Sequence, residues 1–368
     1  MALGIGIVGL PNVGKSTLFN ALLGTAQAAA ANYPFCTIEP NLGVVPVPDK
    51  RLADLSALFG PEKTTPTTLE FIDIAGLVAG ASKGEGLGNQ FLANIREVDA
   101  IAHVLRCFVD PDVIHVAGKV DPRSDRDVVE TELMLKDLET VDKRRDRTLK
   151  NTKTAGKAGE LAKAEVALLD QLKAGLEAGT PVRRQGLSGE GKALARELAL
   201  LTSKPVLYIA NVDDTELAPD DPHVALVKAL ADEEGAPMVV ICGKVEAELV
   251  ELPPAEREEF LKSMGMAEPG LNRLVRAGYD LLGLITYFTS GGDECRAWTI
   301  HRGDTAPKAA GVIHTDFEKG FIKAEVIRIE DLLELKTDAA CREKGKLRIE
   351  GRDYVVQDGD VMHFRFNV

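Results

Sequence analysis

Residues 5 to 17 read Ile-Gly-Ile-Val-Gly-Leu-Pro-Asn-Val-Gly-Lys-Ser-Thr, and this stretch decides the fold. Ile5 to Val8 is a β-rich apolar run that stops at Gly9, and a helical pattern begins near Lys15. Strand, loop and helix follow one another directly. Gly9 to Ser16 fit G-x-x-x-x-G-K-S in the place where the mechanism of that loop requires it. There, backbone N–H groups wrap a β-phosphate and the helix N-terminus favours the anion. Lys15 bridges the β- and γ-phosphates, and the Ser16 hydroxyl ligates Mg²⁺. Asn12, Val13, Gly14, Lys15, Ser16 and Thr17 are thus candidate nucleotide-binding residues, with Lys15 also a candidate catalytic cation.

Working outward, Leu69 to Ile74, Ala100 to Phe108, Pro205 to Val212 and Met238 to Cys242 are short apolar stretches with helical sequence between several of them. That spacing predicts an α/β fold with a parallel sheet covered by helices. Asp73 closes the first of these strands and is followed by Ala75-Gly76. A carboxylate there can hold Mg²⁺ through water while the Gly76 amide meets the γ-phosphate. Asp at a strand end is a weak signal alone; downstream of this loop it is strong. Thr37 stands where a switch threonine would complete the Mg²⁺ shell, so Ser16, Thr37 and Asp73 form the candidate metal set. Leu77 occupies the position of the water-orienting Gln of many GTPases and cannot hydrogen-bond a nucleophile. Gly80, Gly84, Gly86 and Gly88 then read as hinge material.

At the base end, guanine-specific proteins carry Asn-Lys-x-Asp after a later strand. Here the strand from Pro205 ends in Asn211-Val212-Asp213-Asp214, with Val in place of Lys, and a further strand ends at Cys242-Gly243-Lys244. The order marks a nucleotide-binding G domain and leaves the base open between adenine and guanine.

With 368 residues, 45% hydrophobic and 27% charged, the chain can bury the cores of two or three domains. The five cysteines, Cys36, Cys107, Cys242, Cys295 and Cys341, show no pairing or ligand spacing. Together with the lack of a signal peptide or an apolar span, they predict a soluble cytoplasmic protein without membrane contact. The net charge is −13, so contact with nucleic acid would need a local basic patch.

One such patch exists. Residues from about 123 to 200 lack strand candidates and carry two apolar stripes at helical spacing, Met134, Leu138 and Val141, then Leu161, Leu168, Leu172 and Leu176. Two long antiparallel helices are expected. Between them, residues 143 to 157 hold seven basic side chains against one acid, a tip expected to have no internal partner. From about 284 onward, β-branched and aromatic segments alternate with turns, predicting a small mixed β domain.

GLPNVGKST, ANYPFCTIEPN, DIAGLVAGASKGEGLGNQFL, RCFVDPDVIHVAGKVDP and, near the end, AAGVIHTDFEKGFIKAEVI and DGDVMHFRFNV closely resemble the YchF family of Obg-like ATPases over nearly the whole chain. The resemblance implies a Ras-like G domain of the Obg group over residues 1–283. It also implies a helical coiled-coil insertion at about 123–200 and a TGS domain with a β-grasp fold over 284–368. It further implies Mg²⁺-dependent hydrolysis of ATP in preference to GTP, and a nucleotide-dependent switch on the ribosome, touching ribosomal RNA or large-subunit proteins, in a monomer. The family usually has Asn-x-x-Glu where this chain has Asn211 to Asp214. The backbone at Val212 would read adenine, whereas an inward Asp214 would favour guanine, so GTP hydrolysis is the alternative; an RNA-binding adaptor with structural nucleotide is the other. His115 matches a loop histidine thought to approach the γ-phosphate and is the second candidate catalytic residue; a solvated bystander is the competing reading. Asn12 looks like the asparagine that helps hold K⁺ in potassium-stimulated members of the class. His103, inside an apolar strand, is read as a satisfied core residue.

Overall fold

The computed structural model describes residues 3–30, 38–39, 41–74, 87–213, 221–291 and 293–367. Thr37, Gly76, Leu77, Asp214 and most of the glycine-rich segment lie outside the described residues. The chain divides into two compact units.

The first unit is built on five parallel strands in the order Thr68–Asp73, Gly4–Val8, Ala100–Arg106, Val206–Asn211 and Met238–Ile241. Every residue of Gly4–Val8, Ala100–Arg106 and Val206–Asn211 is buried. Helices cover both faces of such a sheet, which is why these strands read as continuous apolar runs without alternation. An antiparallel pair, Ile38–Glu39 with the strand beginning at Leu42, extends the sheet. The helix Lys15–Ala30 follows the first strand and starts at the lysine of the phosphate loop.

The insertion consists of a 30-residue helix, Pro122–Asn151, and its partner Lys157–Glu177. Asp121 caps the first by accepting from Ser124 N, with Pro122 in its first turn. Their shared core holds Val141, Leu169, Leu172 and Leu176, flanked by Met134, Leu138 and Leu168. The expected place of Leu161 is corrected, since it is 61% exposed. Ala162, seven residues before Leu169 and so almost in phase with it, takes the inward position.

The basic tip also needs correction. Arg144 Nε reaches Glu165 Oε1 at 2.5 Å, and Arg145 Nε reaches Asp170 Oδ1 at 2.5 Å, both across the hairpin. Two of the seven cations therefore hold the helices together. Among the described residues, Arg147, Lys150, Lys153 and Lys157 are exposed and form no ion pair.

The second unit contains a six-stranded sheet in the order Arg348–Glu350, Phe321–Arg328, Asp360–Phe366, Leu284–Ser290, Glu294–His301 and Lys63–Thr65. It is antiparallel except where Asp360–Phe366 meets Leu284–Ser290 and where Glu294–His301 meets Lys63–Thr65. One face packs Tyr287, Phe321 and Met362 under Ala306, Ala309 and Ala310; the other packs Phe288 and Val361 under Leu52, Leu55 and Leu332. Residues 44–69, expected within the N-terminal domain, lie in this unit together with residues 278–368. Arg51, forked onto Asp49 and Asp358, ties the helix Lys50–Phe59 to the strand-connecting turn at Asp358. No described helix is long and apolar enough to cross a membrane.

Candidate functional site

The phosphate loop is held by contacts that permit little variation. A Cβ on Gly9 would stand 2.5 Å from the Val104 carbonyl oxygen, so the loop leaves its strand pressed against the next one. Gly14 has φ +97 and would drive a Cβ into Asn211 Nδ2. Asn12 adopts φ +62, a left-handed conformation that Asn tolerates better than most residues. Leu18 N donates to Gly14 O at 3.0 Å and starts the helical ladder, so the N–H groups preceding it have no partner within the helix.

Within this cradle Lys15 is 7% exposed and donates Nζ to Leu10 O at 2.7 Å. Burial lowers its pKa to about 8, opposed by the negative field of Asp73. Ser16 Oγ donates to Asp73 Oδ2 at 3.3 Å. Burial raises the Asp73 pKa against the pull of Lys15 and the Ser16 hydrogen bond. Asp73 Oδ1 is buried with no hydrogen-bond partner. A buried carboxylate oxygen left unmatched beside a hydroxyl and an ammonium is unfavourable by itself, and it fits a hard divalent cation. Among the described residues no group of three or more His, Cys, Asp or Glu side chains could hold a metal by itself. Ser16 and Asp73 would thus hold Mg²⁺ with its remaining oxygen ligands coming from phosphate and water.

From the phosphate loop a cleft of about 210 Å³ opens, lined by Gly14, Thr17, Phe108, Val113, Val212 and Lys244 among others. Asn211, expected to touch nucleotide, is buried and used as a clamp: Nδ2 donates to Val13 O at 2.8 Å, and Oδ1 accepts from Gly243 N at 3.0 Å. It fixes the two loops on which a base and its phosphates would rest. Val212 is 3% exposed and is among the residues that line the cleft.

His115 is not a solvated bystander. It is buried, with Nε2 2.9 Å from Asp125 Oδ2 and Nδ1 accepting from Ala117 N at 3.1 Å. Asn12 Nδ2 donates to Ile114 O at 3.1 Å, tying the phosphate loop to the same segment. His103 lies in the core, as expected, but is not satisfied: its Nε2 has no partner, and burial, with Arg126, Arg183 and Lys15 adding, lowers its pKa to about 3.

Two residues escaped the sequence reading. Arg106, 1% exposed, ends its strand by donating Nε to Phe108 O and Nη2 to Asp110 O, with its guanidinium 4.4 Å from the Phe108 ring centroid. It shapes the segment that walls the cleft, and a charged residue closing an apolar run was the available signal. Asp125 is the other; nothing local distinguishes it from an ordinary acid in a first helical turn.

Residues 4–150 match the family model described as 50S ribosome-binding GTPase, and residues 284–367 match YchF-GTPase_C, described as a protein of unknown function. The chain is 55% identical over 363 residues to the "Ribosome-binding ATPase YchF" of Haemophilus ducreyi, covering 99% of each chain. It is 53% identical over 372 residues to the protein of the same name in Bacillus subtilis, covering 100% of each. Among solved structures, the Schizosaccharomyces pombe YchF GTPase superposes with a TM-score of 0.90 at 39% identity, over 99% of this chain and 97% of that one.

Proposed function

The chain belongs to the YchF family, and we propose that it is a Mg²⁺-dependent hydrolase of nucleoside triphosphates that prefers ATP and acts as a nucleotide-dependent switch on the ribosome. The observation that carries the reading is the group formed by Lys15, Ser16 and Asp73, a buried cation and a carboxylate with an unmatched oxygen at the mouth of a helix N-terminus. Bound Mg²⁺ would neutralise charge on the β- and γ-phosphates. Lys15 leaves Leu10 O for the phosphates, where its charge is stabilised by the substrate rather than penalised by burial. The P-loop amides hold the β-phosphate, and Asn211 keeps Val13 in register with the wall of the base cleft. Thr37 and Gly76 are assigned to the metal shell and the γ-phosphate. His115 is assigned to the attacking water, replacing the Gln that Leu77 cannot supply.

The preference for ATP rests on the loss of the guanine-motif Lys, whose place is held by buried Val212. GTP is the second reading, favoured by the carboxylates following Val212 and by the name GTPase carried by the fission yeast relative. Displacement of a fluorescent nucleotide by ATP and by GTP decides between them: tighter ATP binding is expected, and tighter GTP binding overturns the preference. K⁺ dependence is assigned to Asn12, so replacing K⁺ by Na⁺ should slow hydrolysis in the native chain and not in Asn12→Ala. On the ribosome, RNA phosphates are the proposed contact for the four unpaired cations of the hairpin tip. The two long insertion helices are read as a coiled coil, and residues 284–368 as a TGS domain.

A further inference from the structure

The segment from Phe108 to Val113 helps wall the cleft, and His115 stands two residues beyond it, yet the histidine has no ring nitrogen left for a phosphate or a water. Since Nδ1 accepts from the Ala117 amide, the ring hydrogen resides on Nε2, which donates to Asp125 Oδ2. Only 4% of the His115 side chain and 3% of the Asp125 side chain are exposed. We propose that Asp125 is a positioning residue that latches His115 away from the nucleotide, and that movement of the helix Pro122–Asn151 opens the latch. The proposal rests on the assignment of His115 to hydrolysis made above.

Three observations carry it. Asp125 sits in the first turn of that helix, whose next residues enter a buried charge network: Glu130 binds Arg183 through both oxygens at 2.9 and 2.7 Å, and Arg183 also meets Glu234. Arg126 approaches Glu234 at 3.6 Å. The helix base is rigid there, so a displacement of the hairpin is passed to Asp125 as a whole. On the other side, Asn12 of the phosphate loop holds Ile114 O, one residue from the histidine. The latch is therefore gripped by the phosphate loop and by the hairpin at once.

The third observation concerns where the carboxylate would go. Removing a partner from a buried charge is strongly unfavourable unless another is at hand. Arg106 is buried, its Nη1 has no hydrogen-bond partner, and its field acts on Asp125. On this proposal an Asp125 released from His115 turns to Arg106, and these two arrangements of its carboxylate form the bistable element that the phosphate loop and the hairpin bias.

The test compares steady-state ATP hydrolysis, without ribosomes, in Asp125→Ala, Asp125→Asn, His115→Ala and the double variant Asp125→Ala/His115→Ala. Asp125→Ala should raise kcat by up to roughly tenfold, the equilibrium factor of one hydrogen bond to a charged group, with KM little changed. Asp125→Asn, which keeps an acceptor for Nε2–H, should stay near the native rate. The gain should vanish in the double variant. A kcat in Asp125→Ala equal to or below the native value, while His115→Ala is impaired, overturns the latch and leaves the assignment of His115 standing. Native kcat in His115→Ala overturns that assignment, and the latch with it. Should Asp125→Ala fail to fold, the imidazole ¹⁵N signals of the native protein answer instead. They should report the Nε2–H tautomer in the free protein and change on adding ADP, Mg²⁺ and aluminium fluoride; identical signals in both states overturn the latch.

Discussion

The phosphate loop and the tip of the helical hairpin both carry cations, and they are built on opposite physical terms. Lys15 is one charge, 7% exposed, held against Leu10 O and lowered to a pKa of about 8 by burial. At the tip, Arg147, Lys150, Lys153 and Lys157 are exposed to solvent. In a low dielectric a single charge interacts strongly over a defined distance, whereas exposed charges act weakly, additively and in a salt-dependent way. The loop is suited to chemistry on one phosphate, and the tip to adhesion along many.

The comparison is most easily broken at the loop. Lys15→Ala should lower ATP turnover by on the order of 10²–10³-fold, the usual effect of removing one charge-stabilising group from an active site, while thermal unfolding changes little. Native turnover in that variant would remove the phosphate-site assignment. Next in size is Asn211→Ala. It strands Val13 O and Gly243 N in a buried setting and should destabilise the fold by about 1–3 kcal/mol. Urea denaturation measures this, and an unchanged midpoint would show that Asn211 does not clamp the loops.

His103, buried in the strand Ala100–Arg106, provides a pH test. Its folded pKa, about 3, lies below the unfolded value near 6.5, so the unfolded chain binds the extra proton. The contribution of neutral His103 is fully present above pH 6.5 and is lost as pH falls from 6.5 towards 3, at up to about 1.4 kcal/mol per pH unit. His103→Leu should flatten the stability profile in that window. An equally steep profile would assign the acid sensitivity to carboxylates alone.

The hairpin tip should give the smallest change in the isolated protein and a distinct one with ribosomes. Replacing Arg147, Lys150, Lys153 and Lys157 by Ser should leave ribosome-free hydrolysis as it is. The slope of log affinity against log salt should flatten by up to about 0.7–0.9 for each cation that no longer meets a phosphate. Arg144→Ser with Arg145→Ser removes pairs to Glu165 and Asp170 instead, and should loosen the hairpin with less effect on that slope. Equal slopes in the native chain and the fourfold variant would move the ribosomal contact elsewhere.

Much of the loop was legible in the sequence because its logic is local. Strand, glycines, Lys15 and Ser16 are contiguous, and Asp73 stands at the end of a readable strand. The core strands were legible too, since a parallel sheet buries both faces and writes unbroken apolar runs. Elements that depend on distant partners were not. Lys63–Thr65 is a short polar strand that gains its place only by pairing with Glu294–Arg296. Arg144 and Arg145 look identical to Arg147 until the second helix brings Glu165 and Asp170 alongside. Leu161 and Ala162 differ by one position in phase, and hydrophobicity alone selects the wrong one. Arg106 and Asp125 act through a loop folded between them, which no spacing rule reveals.

Single-turnover hydrolysis of ATP and of GTP by the native chain, each followed across a range of enzyme concentrations with Mg²⁺ present and then chelated, tests the central claim most directly. The site described here predicts Mg²⁺-dependent cleavage of both, with half-saturation at lower enzyme concentration for ATP. Cleavage that survives chelation, or half-saturation reached first with GTP, would contradict it.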